Sequence, residues 1–191
     1  MLTATYAIVT ISTEQNKTRR ILYRLQQYVR NAWEGLRSID LASVESTMNN
    51  LTQFDRFCRN RKIEVHVIPT IRRLTDEADH LLAELEALSA SGMNVLRSLR
   101  DQIGRAFHDG IMVVNDVRGS IELYCHKIQQ RLAREEDELF PLARRLFSVE
   151  EWFAIAEKFL ADDALRRSRK QTRSAAPLIL PLTCSHNVAV L

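Results

Sequence analysis

The sequence contains few residues that interrupt helices. Only 5 of its 191 residues are glycine and 4 are proline, whereas 46% are hydrophobic and 27% are charged. This balance is typical of proteins built from long helices and argues against a turn-rich β fold. One helical domain of this length buries enough surface to fold without disulfide bonds or a structural metal. The composition therefore predicts an all-α protein.

Paired cysteine motifs and long hydrophobic runs are also absent. Cys58, Cys125 and Cys184 are an odd number without CxxC spacing, and we expect them to be free thiols, two of them inside helices. The first twelve residues have no basic region, and no hydrophobic run reaches the length of a transmembrane helix. These absences predict a protein of the reducing cytoplasm with no membrane partner.

Acidic residues are missing from the C-terminal part of the chain. The basic residues after position 165 are Arg166, Arg167, Arg169, Lys170 and Arg173, and no acidic residue follows them. Without these five, 22 basic and 24 acidic residues remain, so the body lacks the positive surface that nucleic acid requires. We therefore expect a domain at residues 1–163, a basic disordered tail at residues 164–191, and no nucleic-acid partner.

Hydrophobic residues at spacings of three and four predict four long helices. Their expected ranges are residues 8–36, 41 to about 69, 76–107 and 113–139, with Asp40 as the N-cap of the second. Short connections make neighbouring helices antiparallel, so the predicted fold is an up-down four-helix bundle. Two polar residues interrupt the apolar stripes, Gln15 in the first helix and Glu135 in the fourth.

A short fifth helix is predicted at residues 149–160. Ser148 and Glu151 have the spacing of a capping box, in which each side chain bonds to the other residue's backbone amide. Trp152, Phe153 and Ile155 would then cover an open end of the bundle.

Two segments of the chain resemble each other at an offset of 72 residues. Arg59, Glu64, Pro69 and Arg72-Arg73-Leu74 match Arg131, Glu136, Pro141 and Arg144-Arg145-Leu146. Because proline removes a backbone donor and clashes with the preceding turn, each segment is predicted to end its helix at the proline.

The run Glu-Glu-Asp-Glu-Leu-Phe-Pro141, with the sequence that follows it to Trp152, resembles the last helix of bacterial hemerythrin-like domains and their covering helix. In that family His-x-x-x-Glu precedes Leu-Phe-Pro in helices two and four, and single histidines come from helices one and three. Spacing of four puts imidazole and carboxylate on one helix face. The resemblance implies a bundle that holds a non-haem di-iron centre in its interior.

Most ligand positions that the resemblance implies carry other residue types here. The substituted positions are Gln15, Arg59, Ile63 and Arg131. Glu135 keeps the carboxylate of helix four, and His80 is the candidate ligand from helix three. Because His80 lies beside the apolar stripe through Leu81 and not on it, a solvated histidine is favoured over a ligand. The metal candidates are therefore only His80 and Glu135, and no intact site and no cofactor are expected.

Arginine at a ligand position argues against a metal more strongly than alanine would. A guanidinium stays protonated, has no lone pair to donate and repels a cation. A buried Glu135 still needs a partner, which Arg131 one turn earlier or Arg59 across the core would supply. For Arg59, a solvated position at the edge of the stripe is an equal alternative. Gln15 is expected to act as a structural amide.

Three functional hypotheses follow from these residues. The first is a divergent hemerythrin-like module that is not an enzyme and binds an unknown protein partner or small ligand, with a homodimer left open. The second is a non-haem di-iron protein that carries or senses oxygen, nitric oxide or redox state. The third is a surface zinc site at Glu77, His80 and Glu84, although stable zinc sites need three or four ligands.

Overall fold

The computed structural model describes residues 2–33, 41–109 and 114–174, and these residues form helices without any strand. The elements in chain order are α1 (Leu2–Trp33), α2 (Leu41–Arg59), a first π turn (Ile63–Val67), α3 (Ile68–Leu74), α4 (Asp79–Asp109), α5 (Val114–Arg134), a second π turn (Glu135–Leu139), α6 (Phe140–Leu146) and α7 (Val149–Ser174). The predicted all-α class is confirmed. No helix in the described ranges is long and apolar enough to cross a membrane.

The predicted apolar stripes of the long helices supply most of the core. In α5 the whole stripe is buried wherever burial is described, from Val117 through Ile121, Ile128 and Leu132. In α4 the prediction is partly wrong, because Leu82 is buried whereas the predicted Leu81 and Leu88 are only half-buried. The cysteines Cys58 and Cys125 are buried free thiols, as predicted.

The buried apolar residues form two separate clusters. The first contains Leu22 of α1, Cys58 of α2, Leu96 of α4 and Leu132 of α5. The second contains Ile11, Ile63, Val67, Leu85, Leu139, Trp152, Ile155 and Phe159. The chain passes from one cluster to the other within α1, between α2 and the first π turn, and between α5 and the second π turn, and the buried polar residues at these three places include Gln15, Arg61 and Glu135.

The repeat at an offset of 72 residues is a structural repeat. The two π turns begin at Ile63 and Glu135, and the helices after them begin at Ile68 and Phe140. The prediction that the helices end at proline is wrong, since the chain stays helical through Pro69 and Pro141. In each π turn an amide bonds to a carbonyl five residues back, Ile68 to Ile63 and Phe140 to Glu135. This wider turn accommodates the proline ring and its missing donor.

The fifth long helix begins as predicted. The Ser148 amide donates to Glu151 Oε2 at 3.0 Å, and the Glu151 amide donates to Ser148 Oγ at 3.2 Å, which is the predicted capping box. Trp152 and Ile155 are buried, but Phe153 is 47% exposed and does not cover the core.

Helix α7 is also longer than predicted. It extends to Ser174, so the expected end at residue 160 is wrong, and the helix includes the first part of the segment assigned to the tail. Two polar contacts hold its middle at the first π turn: Lys62 Nζ, just before the turn, lies 2.8 Å from Asp163 Oδ2, and His66 Nε2 lies at hydrogen-bonding distance, 2.7 Å, from Asp162 Oδ2. Leucine, alanine and arginine, which follow, have high helix propensity and continue the helix. The predicted N-cap Asp40, the thiol Cys184 and the tail at residues 175–191 lie outside the described residues.

Replacement of Ser148 by alanine tests the capping box. We expect Ser148→Ala to lower the free energy of unfolding by about 1 kcal/mol, because one amide of the first turn of α7 loses its acceptor. Urea unfolding followed by circular dichroism measures this change. Ser98→Ala, an exposed serine within α4, is the control and should not lower stability. Equal effects of the two substitutions would contradict the capping role.

Candidate functional site

Glu135 lies at the centre of the polar layer between the two apolar clusters. It is the first residue of the second π turn, and its side chain is completely buried. A carboxylate in such a place must be hydrogen-bonded and neutralised by an opposite charge, because transfer of an unpaired ion from water costs several kcal/mol.

Arg61 binds both oxygens of this carboxylate. Its Nη1 lies 2.8 Å from Glu135 Oε2, and its Nη2 lies 2.5 Å from Glu135 Oε1. Parallel donation by one guanidinium is the strongest geometry available to an arginine and a carboxylate. The remaining Arg61 donors reach Gln15 Oε1 at 2.8 Å, Glu64 Oε1 at 3.0 Å and the Cys58 carbonyl at 3.1 Å. Every N–H of this 2% exposed arginine therefore has an acceptor.

Arg131 is the second cation of the layer. Its Nε donates to Glu135 Oε1 at 2.9 Å, so the ion pair predicted one turn before Glu135 is present. The guanidinium also donates to Glu64 Oε1, to Ser89 Oγ and, at 2.5 Å, to the Leu85 carbonyl. Arg131 thereby ties α5 to α4 and to the first π turn.

Gln15 and Glu64 complete the network. Gln15 Nε2 donates to Glu135 Oε2 at 3.1 Å while its Oε1 accepts from Arg61, so Gln15 is a structural amide, as expected. Glu64 accepts from both arginines. Two guanidiniums and two carboxylates make the layer neutral, and it joins α1, α4, α5 and both π turns.

Burial and pairing oppose each other at the charged groups. Burial alone would raise the pKa of Glu135, but Arg61 and then Arg131 outweigh it and hold that pKa below its ordinary value of 4.5. Burial would lower the pKa of Arg61, and Glu135 and Glu64 raise it instead. At the half-buried Glu64, burial dominates over Arg131 and the pKa is raised. The Glu135 pair is therefore ionised near neutral pH.

Two of the positions predicted in helix two do not belong to the network. The side chain of Arg59 is 53% exposed and pairs with Asp55 of its own helix, so the hypothesis that Arg59 neutralises Glu135 is wrong and the solvated alternative is correct. Ile63, which the repeat aligns with Glu135, is buried in the second apolar cluster.

The histidine candidate lies on the surface. The His80 side chain is 88% exposed, and its Nδ1 lies 3.9 Å from Glu84 Oε1. Since Glu135 is fully buried, these two metal candidates do not share a site. Glu77 and Glu84, the other residues of the hypothetical zinc site, pair with Arg145 and Arg134. In the described parts of the chain, no three side chains of His, Cys, Asp or Glu converge to hold a metal ion.

Arg61 is the functional residue that sequence analysis missed. The buried residues Leu51, Phe54 and Cys58 of α2 follow spacings of three and four, and Arg61 is the next position at spacing three. The helix bends at residues 60 and 61 before the first π turn, and the Arg61 Nε–H bonds the Cys58 carbonyl there. The spacing of the apolar stripe therefore indicates that Arg61 faces the interior. It was not predicted there because arginine is rarely buried completely.

The di-iron centre that the family resemblance implies does not fit this donor set. Both oxygens of Glu135 accept two N–H donors each, and the neighbouring side chains at family positions are a guanidinium, an amide and an isoleucine. Among these groups only the amide oxygen of Gln15 has a lone pair that could bind a metal. That oxygen already accepts a hydrogen bond from Arg61 Nη1. The arrangement holds the helices together, and it leaves Glu135 no oxygen lone pair that is not already taken by an N–H donor.

Comparison of the chain with protein families, with characterised proteins and with solved structures finds no match.

Arg131 and Arg118 form a matched pair for a test of the buried layer. Each lies on α5 and pairs with a glutamate four residues later, but only the Arg131 pair is buried. We expect Arg131→Ala to lower the free energy of unfolding by about 3–5 kcal/mol, because it removes half of the charge that compensates Glu135 and Glu64. Arg118→Ala should cost about 0.3–0.5 kcal/mol. Similar costs in urea unfolding would refute the structural role of the layer.

At acidic pH, Glu135 should contribute less to the free energy of unfolding. Its pKa is lower in the folded protein than in the unfolded chain, so its stabilisation is fully present above about pH 4.5 and is lost as the pH falls through the folded pKa. The stability difference between wild type and Glu135→Gln should therefore be largest at pH 7 and shrink below pH 4.5. Urea unfolding over this range measures it. The exposed Glu122→Gln serves as control and should show a small difference at every pH; a constant difference for Glu135→Gln would contradict the argument.

Proposed function

We propose that this protein is a divergent hemerythrin-like up-down bundle that has lost the di-iron centre and works as a binding, regulatory or structural module. It is not an enzyme in this proposal, and its partner is a protein or a small ligand. Three features support it: the Leu-Phe-Pro segment, the fully helical architecture, and the convergence of Gln15, Arg131 and Glu135 on one point inside the helices.

The double arginine clamp on Glu135 carries the proposal. In the family, the carboxylate that precedes Leu-Phe-Pro would face iron. Here Arg61 and Arg131 face the Glu135 carboxylate from two directions and supply the positive charge that a metal would otherwise bring. A permanently protonated guanidinium does not change charge or redox state near neutral pH, so the layer favours a constant scaffold over an oxygen-handling centre.

The alternative function is a hemerythrin-type iron protein that senses or carries oxygen, nitric oxide or redox state. It requires the arginines to leave the interior and other ligands to enter. Moving the two arginines out of the interior would break the bidentate contact between Arg61 and Glu135 and the hydrogen bonds from Arg131 to α4. Only a weak set of metal ligands would remain.

Iron content separates the two functions. Protein purified aerobically from iron-supplemented cells should contain iron far below one ion per chain and show no charge-transfer band of an oxo-bridged iron pair. Elemental analysis and absorption spectroscopy of the same sample measure both. A hemerythrin-like protein with an intact di-iron centre, expressed and purified in the same way, controls for incorporation of iron during expression. Two iron ions per wild-type chain would refute the proposed function.

A further inference from the structure

One face of α1 carries cations and apolar residues in alternation. Lys17, Ile21, Arg24 and Tyr28 follow one another at spacings of four, three and four, which places them on a single face of the helix. Both cations are exposed, Tyr28 is 45% exposed, and Ile21 packs half-buried on the edge of the first apolar cluster. This face therefore presents positive charge and apolar surface together.

Helix α2 extends the apolar part of this face. Phe57 is half-buried against the first apolar cluster, and Lys17 Nζ lies 5.3 Å from the centre of the Phe57 ring. A lysine over an aromatic ring keeps its charge at the surface, while its hydrocarbon stem covers apolar groups. The apolar surface therefore continues from α1 to α2, with the charge of Lys17 above it.

The end of α7 brings further cations next to Lys17. The Lys62 amide donates to Glu14 Oε2 at 2.6 Å, and Lys62 Nζ pairs with Asp163 of α7. Arg166 follows Asp163 by three residues on the same helix face, and it is among the cations that oppose the increase of the Glu14 pKa caused by burial. Since Glu14 is three residues before Lys17, the cations of α7 begin beside the Lys17 end of the α1 face.

Four exposed cations define a basic face of the molecule: Lys17, Arg24, Arg166 and Arg167. The ion pairs within the described ranges leave each of them without a carboxylate. The nearby carboxylates bind Lys62 instead. The rest of α7 adds three basic residues and no acidic one. Because like charges repel, an acidic partner would lower the electrostatic energy of this face.

We propose that the basic face, with Ile21 and Tyr28 between its cations, binds an acidic amphipathic helix of a partner protein. The proposal deepens the proposed function and rests on it, since it states the chemistry of the protein partner. Apolar residues of the partner helix, at spacings of three and four, pack on Ile21 and Tyr28. Its carboxylates pair with the cations on α1 and α7.

Other anionic partners match this face less completely. Nucleic acid offers phosphates to the cations but leaves Ile21 uncovered, and Lys17 already covers the Phe57 ring on which a base would stack. A membrane surface takes up helices whose apolar face is free of charge, with the cations on the opposite face. Here Arg24 lies between Ile21 and Tyr28, so apolar contact with lipid would draw its charge out of water.

Fluorescence anisotropy with a labelled peptide tests the proposal on the full chain. The peptide has about 18 residues, or about five helical turns, with leucine at spacings of three and four and with glutamate and glutamine at the other positions. We expect saturable binding of one peptide per chain. A peptide of the same composition whose leucines no longer share one helix face should bind about tenfold more weakly.

Charge-reversal variants show whether the basic face is the surface that binds. Lys17→Glu combined with Arg24→Glu should weaken binding of the peptide about tenfold, because like charges then face its glutamates. Tyr28→Ala should also weaken binding, since the leucines lose apolar surface. Arg97→Glu combined with Arg105→Glu is the matched control. It reverses two exposed arginines of α4, changes the net charge equally, and should leave the affinity unchanged.

The inference is overturned if the peptide does not bind saturably, if both peptides bind equally, or if the reversals on α1 and α4 have the same effect. Tighter binding of single-stranded RNA or of vesicles of an anionic phospholipid would assign the face to another class of partner and overturn it as well. A dimer of the free chain that Lys17→Glu with Arg24→Glu dissociates would assign the face to a second copy, with the same consequence.

Iron content of the same sample decides the proposed function separately. Iron-free protein that does not bind the peptide overturns the docking surface alone. Stoichiometric iron in protein that binds the peptide overturns the proposed function and leaves the docking surface in place.

Discussion

The interior of this protein is organised by the need to neutralise one fully buried carboxylate. Glu135 receives two guanidiniums and an amide, and these come from different helical segments of the chain. Since each donor is itself buried, every member depends on the others for its partner. The layer therefore acts as a register device: a helix that slides along its neighbours would separate charges that have no access to water. The two apolar clusters on either side contribute burial, which is not directional, whereas the layer specifies how the helices align.

The π turns determine which residues meet in the layer. A sequence repeat places the same wide turn before Pro69 and before Pro141, and each turn shifts the helical phase relative to a regular α-helix. The second turn begins with Glu135 and the first with Ile63. The two halves of the repeat therefore share a backbone conformation but carry different side chains at the equivalent position. One half supplies the carboxylate, and the other supplies Arg61 just before the turn. The two halves of the repeat therefore supply one salt-bridged acid and one apolar residue rather than a symmetric pair of carboxylates.

Sequence periodicity predicted the parts of this arrangement that depend on local spacing. Gln15 and Glu135 were identified because they interrupt apolar stripes, and Arg131 was paired with Glu135 because residues four apart share a helix face. The same reasoning failed for Arg59, because the bend at residues 60 and 61 ends the regular phase of α2. It also failed for α7, whose length depends on contacts of Lys62 and His66 with Asp163 and Asp162, about one hundred residues away in sequence.

The amino-acid sequence by itself determined the helical class, the capping box of α7, the two similar segments 72 residues apart and the polar residues that enter the core. Each of these follows from residues that lie within a few turns of one helix. Tertiary structure alone decided that Arg61 rather than Arg59 binds Glu135, and that a cavity remains beside the layer. Those outcomes depend on how helices distant in sequence rotate against one another, and small changes of phase at a bend or a π turn move a side chain from solvent to interior.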